Sequence, residues 1–168
     1  LHQKLYQVYS VMKRTDKALE TCEKVLKIDK SNTQLWLDYA QLANSLDDKE
    51  RLRLAYEGLM ELHPGDREVE FKYIRVLPQK GKLDSAVATL RKFVKKHPDY
   101  LEARVELSKF LRWSGSYCGA LKLLNEAPMK QLLSKEIVLE KAQVYAWSSY
   151  KDHAIKELDK LPEQDKKG

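Results

Sequence analysis

The sequence predicts an all-α chain of stacked helix pairs, and three observations carry that prediction. A small residue opening an apolar stretch recurs as Lys17-Ala18-Leu19, Ser85-Ala86-Val87, Gly119-Ala120-Leu121 and His153-Ala154-Ile155. The steps between these alanines are 68, 34 and 34 residues, and Leu52 fills the vacant place in the series. Other columns keep the same period: His63 and His97, Pro64 and Pro98, Gly81 and Gly115, Trp113 and Trp147. Within a unit, apolar residues fall three and four apart, as in Leu35, Tyr39, Leu42, Ala43 and Leu46, which is the spacing of an amphipathic helix. No single unit of this size buries its own apolar face, so the units must stack.

Each element follows from this register. Helices are expected at about 2–13, 16–29, 33–46, 48–62 and 67–80, then at 83–96, 101–114, 117–127, 135–148 and 151–161. The alanines at 18, 86, 120 and 154 let the second helix of a pair approach the first closely. Gly81 and Gly115 can take the positive φ that ends a helix. Pro64 and Pro98 stop second helices, where His63, Lys95, Lys96 and His97 complement the negative end of the dipole. Pro78 falls late in a helix and is expected to kink its end. Pro128 and Pro162 share one repeat position, so the last two second helices should stop about a turn early and leave 129–134 as a looser connector.

The period and its residues resemble the tetratricopeptide repeat (TPR), a helix–turn–helix unit of 34 residues. Units fall at 1–32, 33–66, 67–100, 101–134 and 135–168. The second carries Trp36, Ala40 and Pro64; the third Gly81, Ala86, Leu90 and Pro98. The fourth carries Leu107, Gly115, Tyr117, Ala120 and Ala127, the fifth Ala142, Tyr145 and Ala154, the first Leu5, Tyr9 and Ala18. Leu52, Lys30 and Ser149 depart from the pattern, the last standing where a turn glycine is usual. The resemblance implies a right-handed superhelix of about five repeats, a single array over 1–168. The chain opens at Leu1 without a charged-then-apolar leader and is expected to be a piece of a longer protein.

Composition excludes several classes. With 43% hydrophobic and 33% charged residues the chain can build a core and is not disordered. Six Gly and five Pro are too few for a turn-rich β protein, and no stretch approaches the roughly 18 apolar residues of a membrane span. Cys22 and Cys118 lie three repeats apart, about 30 Å at helix-stacking distances, whereas a disulfide needs Cα atoms within roughly 7 Å. Cys22 reads as a core residue. His63 and His97 sit one repeat apart, too far for a shared metal whose ligands lie at about 2.1 Å. No Cys-x-x-Cys, His-Glu-x-x-His, phosphate loop or Gly-x-Ser-x-Gly occurs, so no enzyme, metal site or cofactor is expected. The net charge of +6 includes the cluster Arg91, Lys92, Lys95, Lys96 and His97, which reads as a solvated helix end. Without interleaved aromatics it does not predict a nucleic-acid partner.

In TPR proteins the first helix of each unit lines the concave face, and the resemblance implies that this face binds a partner. Its acidic positions are Glu68, Glu102 and Glu136, with Lys72 one turn on from Glu68. Arg75, Lys109 and Arg112 form a basic row beside Trp113 and Trp147. The two Trp either anchor a partner or pack between repeats. The Lys and Asn set by which some TPR co-chaperones grip acidic tails is missing: its first position holds Gln3, Leu37, Phe71, Val105 and Leu139.

A narrower resemblance lies in Leu107-x3-Leu111-x-Trp113-Ser114-Gly115-x-Tyr117, partly repeated as Trp147-Ser148-Ser149-Tyr150. It is similar to a pattern in periplasmic TPR scaffolds of bacterial exopolysaccharide exporters, such as those for Pel, poly-N-acetylglucosamine and cellulose. It implies a non-catalytic scaffold in the periplasm with a protein partner such as a polysaccharide-modifying enzyme. The alternatives are a groove that directly binds an anionic or carbohydrate polymer and a cytoplasmic assembly or regulatory adaptor.

Overall fold

The computed structural model describes residues 15–77, 83–162 and 165, and among them every regular element is helical. The expected helix 2–13, with Gln3, Pro78 and Gly81, lies outside the described residues. The chain gathers into two compact units, 1–79 and 80–168. In the first, α1 (Thr15–Ile28), α2 (Thr33–Ser45), α3 (Lys49–Leu62) and α4 (Arg67–Val76) pack each on the next. The second holds α5 (Leu83–Lys96), α6 (Leu101–Trp113), α7 (Tyr117–Asn125), α8 (Lys135–Trp147) and α9 (Lys151–Leu158). Here α6 packs on α5, α7 and α8, and α8 packs on α7 and α9. A 3₁₀ turn, Met129–Gln131, occupies the connector expected to be looser.

Helix ends follow local chemistry. Asn32, Asp48, Asp66 and Ser134 cap α2, α3, α4 and α8 by accepting from the backbone N–H two or three residues on. α3 and α5 stop just before Pro64 and Pro98, and α7 and α9 stop early ahead of Pro128 and Pro162. α4 ends at Val76 rather than at 80. The signature column is buried throughout, Ala18, Leu52, Ala86, Ala120 and Ala154 all being below a tenth exposed. Cys22 is a core residue as expected, and burial, reinforced by the Asp38 and Glu23 charges, pushes its thiol up to about 12.

The turn between the helices of a pair is one structure repeated. Asp48 N–H donates to Ala43 O at 2.9 Å, Ser116 to Leu111 at 2.8 Å and Tyr150 to Tyr145 at 2.9 Å. In each turn the preceding residue donates to the carbonyl three back, so each is a Schellman closure. Its left-handed residue is Asp47 (φ 54°), Gly115 (φ 78°) and Ser149 (φ 67°). Ser149, which departs from the glycine pattern, therefore keeps the glycine conformation and carries the Cβ clash that goes with it.

Neighbouring pairs in the first unit are stapled by a polar motif that also repeats at 34. Glu23 on α1 accepts from Tyr39 on α2 at 2.9 Å and from Arg51 on α3 at 2.5 Å. Glu57 on α3 accepts from Tyr73 on α4 at 3.0 Å and from Arg53. At Gly58 a Cβ would stand 2.5 Å from the Trp36 ring, so glycine seats the indole, whose Nε1 donates to Lys30 O at 2.9 Å. In the second unit the buried Arg104 bridges backbone, donating to Leu123 O at 2.7 Å and Pro98 O at 3.0 Å.

Ser149→Gly should stabilise the protein by about 0.5–1 kcal/mol, the relief of left-handed strain less the glycine's unfolded-state entropy. Asp47→Gly should gain less, because Asp tolerates the conformation. Urea denaturation read by far-ultraviolet circular dichroism checks both. Burial, then the Glu23 carboxylate, raises the Tyr39 phenol above its ordinary range. A raised folded-state value stabilises fully below the unfolded tyrosine's ordinary pKa of about 10 and is lost as pH rises beyond it. Stability should therefore fall above about pH 10, and Tyr39→Phe should flatten that fall in denaturant titrations across the alkaline range.

Candidate partner-binding surfaces

The nine candidate residues divide between the two units: Glu68, Lys72 and Arg75 lie on α4, the other six on α6 and α8. On the first unit a hollow of about 220 Å³ opens between α2, α3 and α4. Asn44 from α2, Lys49 and Tyr56 from α3, and Lys72 and Arg75 from α4 line it over an apolar floor of Leu52 and Val76. Three cations, an amide and a phenol thus surround one small volume. Lys49 pairs with the exposed Asp47, and Lys72 reaches the exposed Glu68 at 2.7 Å one turn away. The Arg75 guanidinium stands 5.8 Å from the Phe71 ring centroid. Exposed pairs of this kind are worth at most about 1 kcal/mol, so neither of these two pairs competes strongly with an incoming anion.

The second unit corrects the expected basic row. Arg112 is only 6% exposed and cannot serve as a free cation. Its Nε lies 3.2 Å from Glu140 Oε1, its Nη2 donates to Gln143 Oε1 at 3.0 Å, and Ser108 donates to the same Glu140 oxygen at 3.3 Å. The physical reason is the register: the C-terminal end of α6 comes opposite the middle of α8, so Arg112, its penultimate residue, meets a buried carboxylate of the next repeat. The guanidinium also lies 5.0 Å from the Trp147 ring centroid. Lys109 is half-buried and pairs with Glu106 at 3.5 Å within its own helix. What this face leaves open are Glu102 and Glu136, both exposed, and the indoles of Trp113 and Trp147, 54% and 56% exposed. The Trp113 ring packs on Phe110 with centroids 5.4 Å apart. Both indoles are thus half packed and half presented.

Residues 68–100 match the family model described as tetratricopeptide repeat. That stretch is a tetratricopeptide repeat. Solved structures share the TPR fold of this chain at low identity. A MamA protein superposes with a TM-score of 0.70 at 14% identity, over 95% of this chain and 87% of that one. MamA from Desulfovibrio magneticus RS-1 gives 0.69 at 12% identity, over 95% and 90%. YrrB, titled a TPR protein with an unusual peptide-binding site, gives 0.63 at 16% identity, over 95% and 82%. No curated protein sequence matches the chain significantly.

Two lining residues of the first unit's hollow, Lys49 and Tyr56, come from a second helix and lie outside the face the sequence singled out. Their signal was the adjacency of Lys49 to the turn at Asp47, which brings the start of α3 beside α4. Among the described residues no group of three or more His, Cys, Asp or Glu could hold a metal, and no helix is long and apolar enough to cross a membrane. Cys22 and Cys118 are free thiols, the first buried and the second exposed.

Removing one member of the buried pair should cost far more than removing both. Arg112→Met alone should destabilise by about 3–5 kcal/mol because Glu140 is left charged and buried. The double variant Arg112→Met with Glu140→Leu should come within about 1 kcal/mol of the parent, its apolar replacements being of similar volume. Thermal melts of the four corners of the cycle measure the coupling.

Proposed function

We propose that the chain is a non-catalytic protein-interaction scaffold whose first unit receives a carboxylate of a protein partner. The observation that carries this reading is the hollow where Lys49, Lys72 and Arg75 converge with the Asn44 amide and the Tyr56 hydroxyl. A carboxylate accepts up to about four hydrogen bonds and brings the opposite charge. The apolar floor adds burial for the methylenes that carry it. The half-presented Trp113 and Trp147 offer a second anchoring surface, since Trp is enriched among the residues that dominate interface energies. The peptide-binding site named for YrrB lends support by analogy of fold.

Within that reading we place the protein in the bacterial periplasm, as part of an exopolysaccharide exporter that recruits a polysaccharide-modifying enzyme. The support is the Trp113-Ser114-Gly115-Ser116-Tyr117 stretch and its partial copy at Trp147–Tyr150. A cytoplasmic adaptor is the alternative, and sequence upstream of Leu1 decides between them: a secretory leader favours the first, an in-frame start without one the second.

A hexaglutamate peptide should bind the parent and weaken as salt is raised past physiological strength, where the screening length falls below about 8 Å. The variant Lys72→Glu with Arg75→Glu should keep its helical spectrum and bind at least about tenfold more weakly, 1.4 kcal/mol. Titration calorimetry reads both, and unchanged affinity in the variant would sink the hollow as the site.

A further inference from the structure

The edge of the second unit where its helix pairs turn carries a second, chemically different hollow. It encloses about 550 Å³, inside the range of about 300–1,000 Å³ typical of small-ligand pockets. Five rings line it: Tyr117 at the start of α7, Tyr145 and Trp147 at the end of α8, and Tyr150 and His153 around the start of α9. His153 is the hub, its centroid 5.3 Å from Tyr145 and 5.8 Å from Tyr150. Among the described residues no charged side chain lines this hollow. An adjoining one of about 240 Å³ shares Ser149, Tyr150 and His153 with it and adds Lys151 and Asp152, whose charges cancel.

The polar atoms here are unspent. In the first unit Tyr39, Tyr73 and Trp36 commit their polar ends to Glu23, Glu57 and Lys30 O. Among the described residues, the hydroxyls of Tyr117, Tyr145 and Tyr150 and the indole N–H of Trp147 have no protein partner. Trp147 is also held in place: the Arg112 guanidinium, itself fixed by Glu140 and Gln143, lies 5.0 Å from its ring centroid. A wall propped in this way loses little freedom when a ligand stacks on it.

These features select a ligand. Without net charge, affinity must come from flat apolar contact and neutral hydrogen bonds. The indole N–H and Lys151 only donate, and Asp152 only accepts, so the ligand must do both. A polyproline segment, which suits aromatic grooves, has no backbone N–H to give. A sugar ring has C–H groups on its faces and hydroxyls that both donate and accept around its rim. Two adjoining hollows accommodate consecutive rings. We propose that this edge is a binding site for a neutral oligosaccharide, independent of the carboxylate hollow on the first unit.

The test is a titration of the isotope-labelled chain followed by the indole N–H resonances, with the Trp147 signal assigned through Trp147→Phe. The probes are cellohexaose, maltohexaose and N-acetylchitohexaose, with a decaproline peptide as competitor class. At least one saccharide should shift the Trp147 resonance saturably while Trp36 stays still. Tyr150→Ala and His153→Ala, both at exposed positions, should each weaken that saccharide at least tenfold, and Trp113→Phe should leave it unchanged. Hexaglutamate binding should be the same in the Tyr150→Ala and His153→Ala variants, which separates failure here from failure of the carboxylate site. No shift from any of the three saccharides, or a saturable shift from decaproline alone, would overturn the proposal.

Discussion

A pair of short antiparallel helices leaves part of its apolar stripe uncovered, and the neighbouring pair must cover it. That dependence dictates where polar groups can be tolerated. Side chains facing the next pair lose much or all of their access to water, and partners across the boundary replace it. Glu23 with Tyr39, Glu57 with Tyr73, and Arg112 with Glu140 and Ser108 are three answers to that requirement. In the first unit the acceptor lies on a second helix and the donor on the following first helix. In the second unit both lie on consecutive first helices.

The helices were legible because they obey local rules. Apolar spacing located them, prolines at 64, 98, 128 and 162 placed four of their ends, and the alanine column marked the close contact inside each pair. The surfaces were less legible because they depend on what stands opposite. Arg112 reads as a solvent-facing cation when its own helix alone is considered; Glu140, 28 residues on, buries it. A comparison of charges between the same faces of consecutive units would have exposed the pairing. The Glu–Tyr staple had a similar signal, a separation of 16 residues occurring twice at the repeat period. Lys49 and Tyr56 were missed for another reason. They belong to a second helix, and only the tight turn before it carries them to the side of α4.

The two units consequently present different chemistry from the same repeat. On the first, Lys49 and Lys72 pair with exposed carboxylates, which compete weakly with an incoming anion. On the second, Arg112 is neutralised by a buried carboxylate, while Lys109 keeps a pair within its own helix of the same kind as that of Lys72. Aromatic rings take over there as the available contact surface. A net charge of +6 for the chain therefore says little about either site. Charge matters here through its placement and through the solvent access of each partner.

The turn between paired helices has one further consequence. Because its backbone hydrogen bonds hold the left-handed residue whatever its side chain, three different residue types stand at that position in the described turns. The fold thus separates the geometry of the turn from the identity of the residue that makes it. A lineage can let a glycine drift to serine at modest loss and later recover the difference at the same place. That recoverable margin is a reserve against which destabilising changes on the binding faces can be set. Recognition surfaces can then diversify without the helical register having to move.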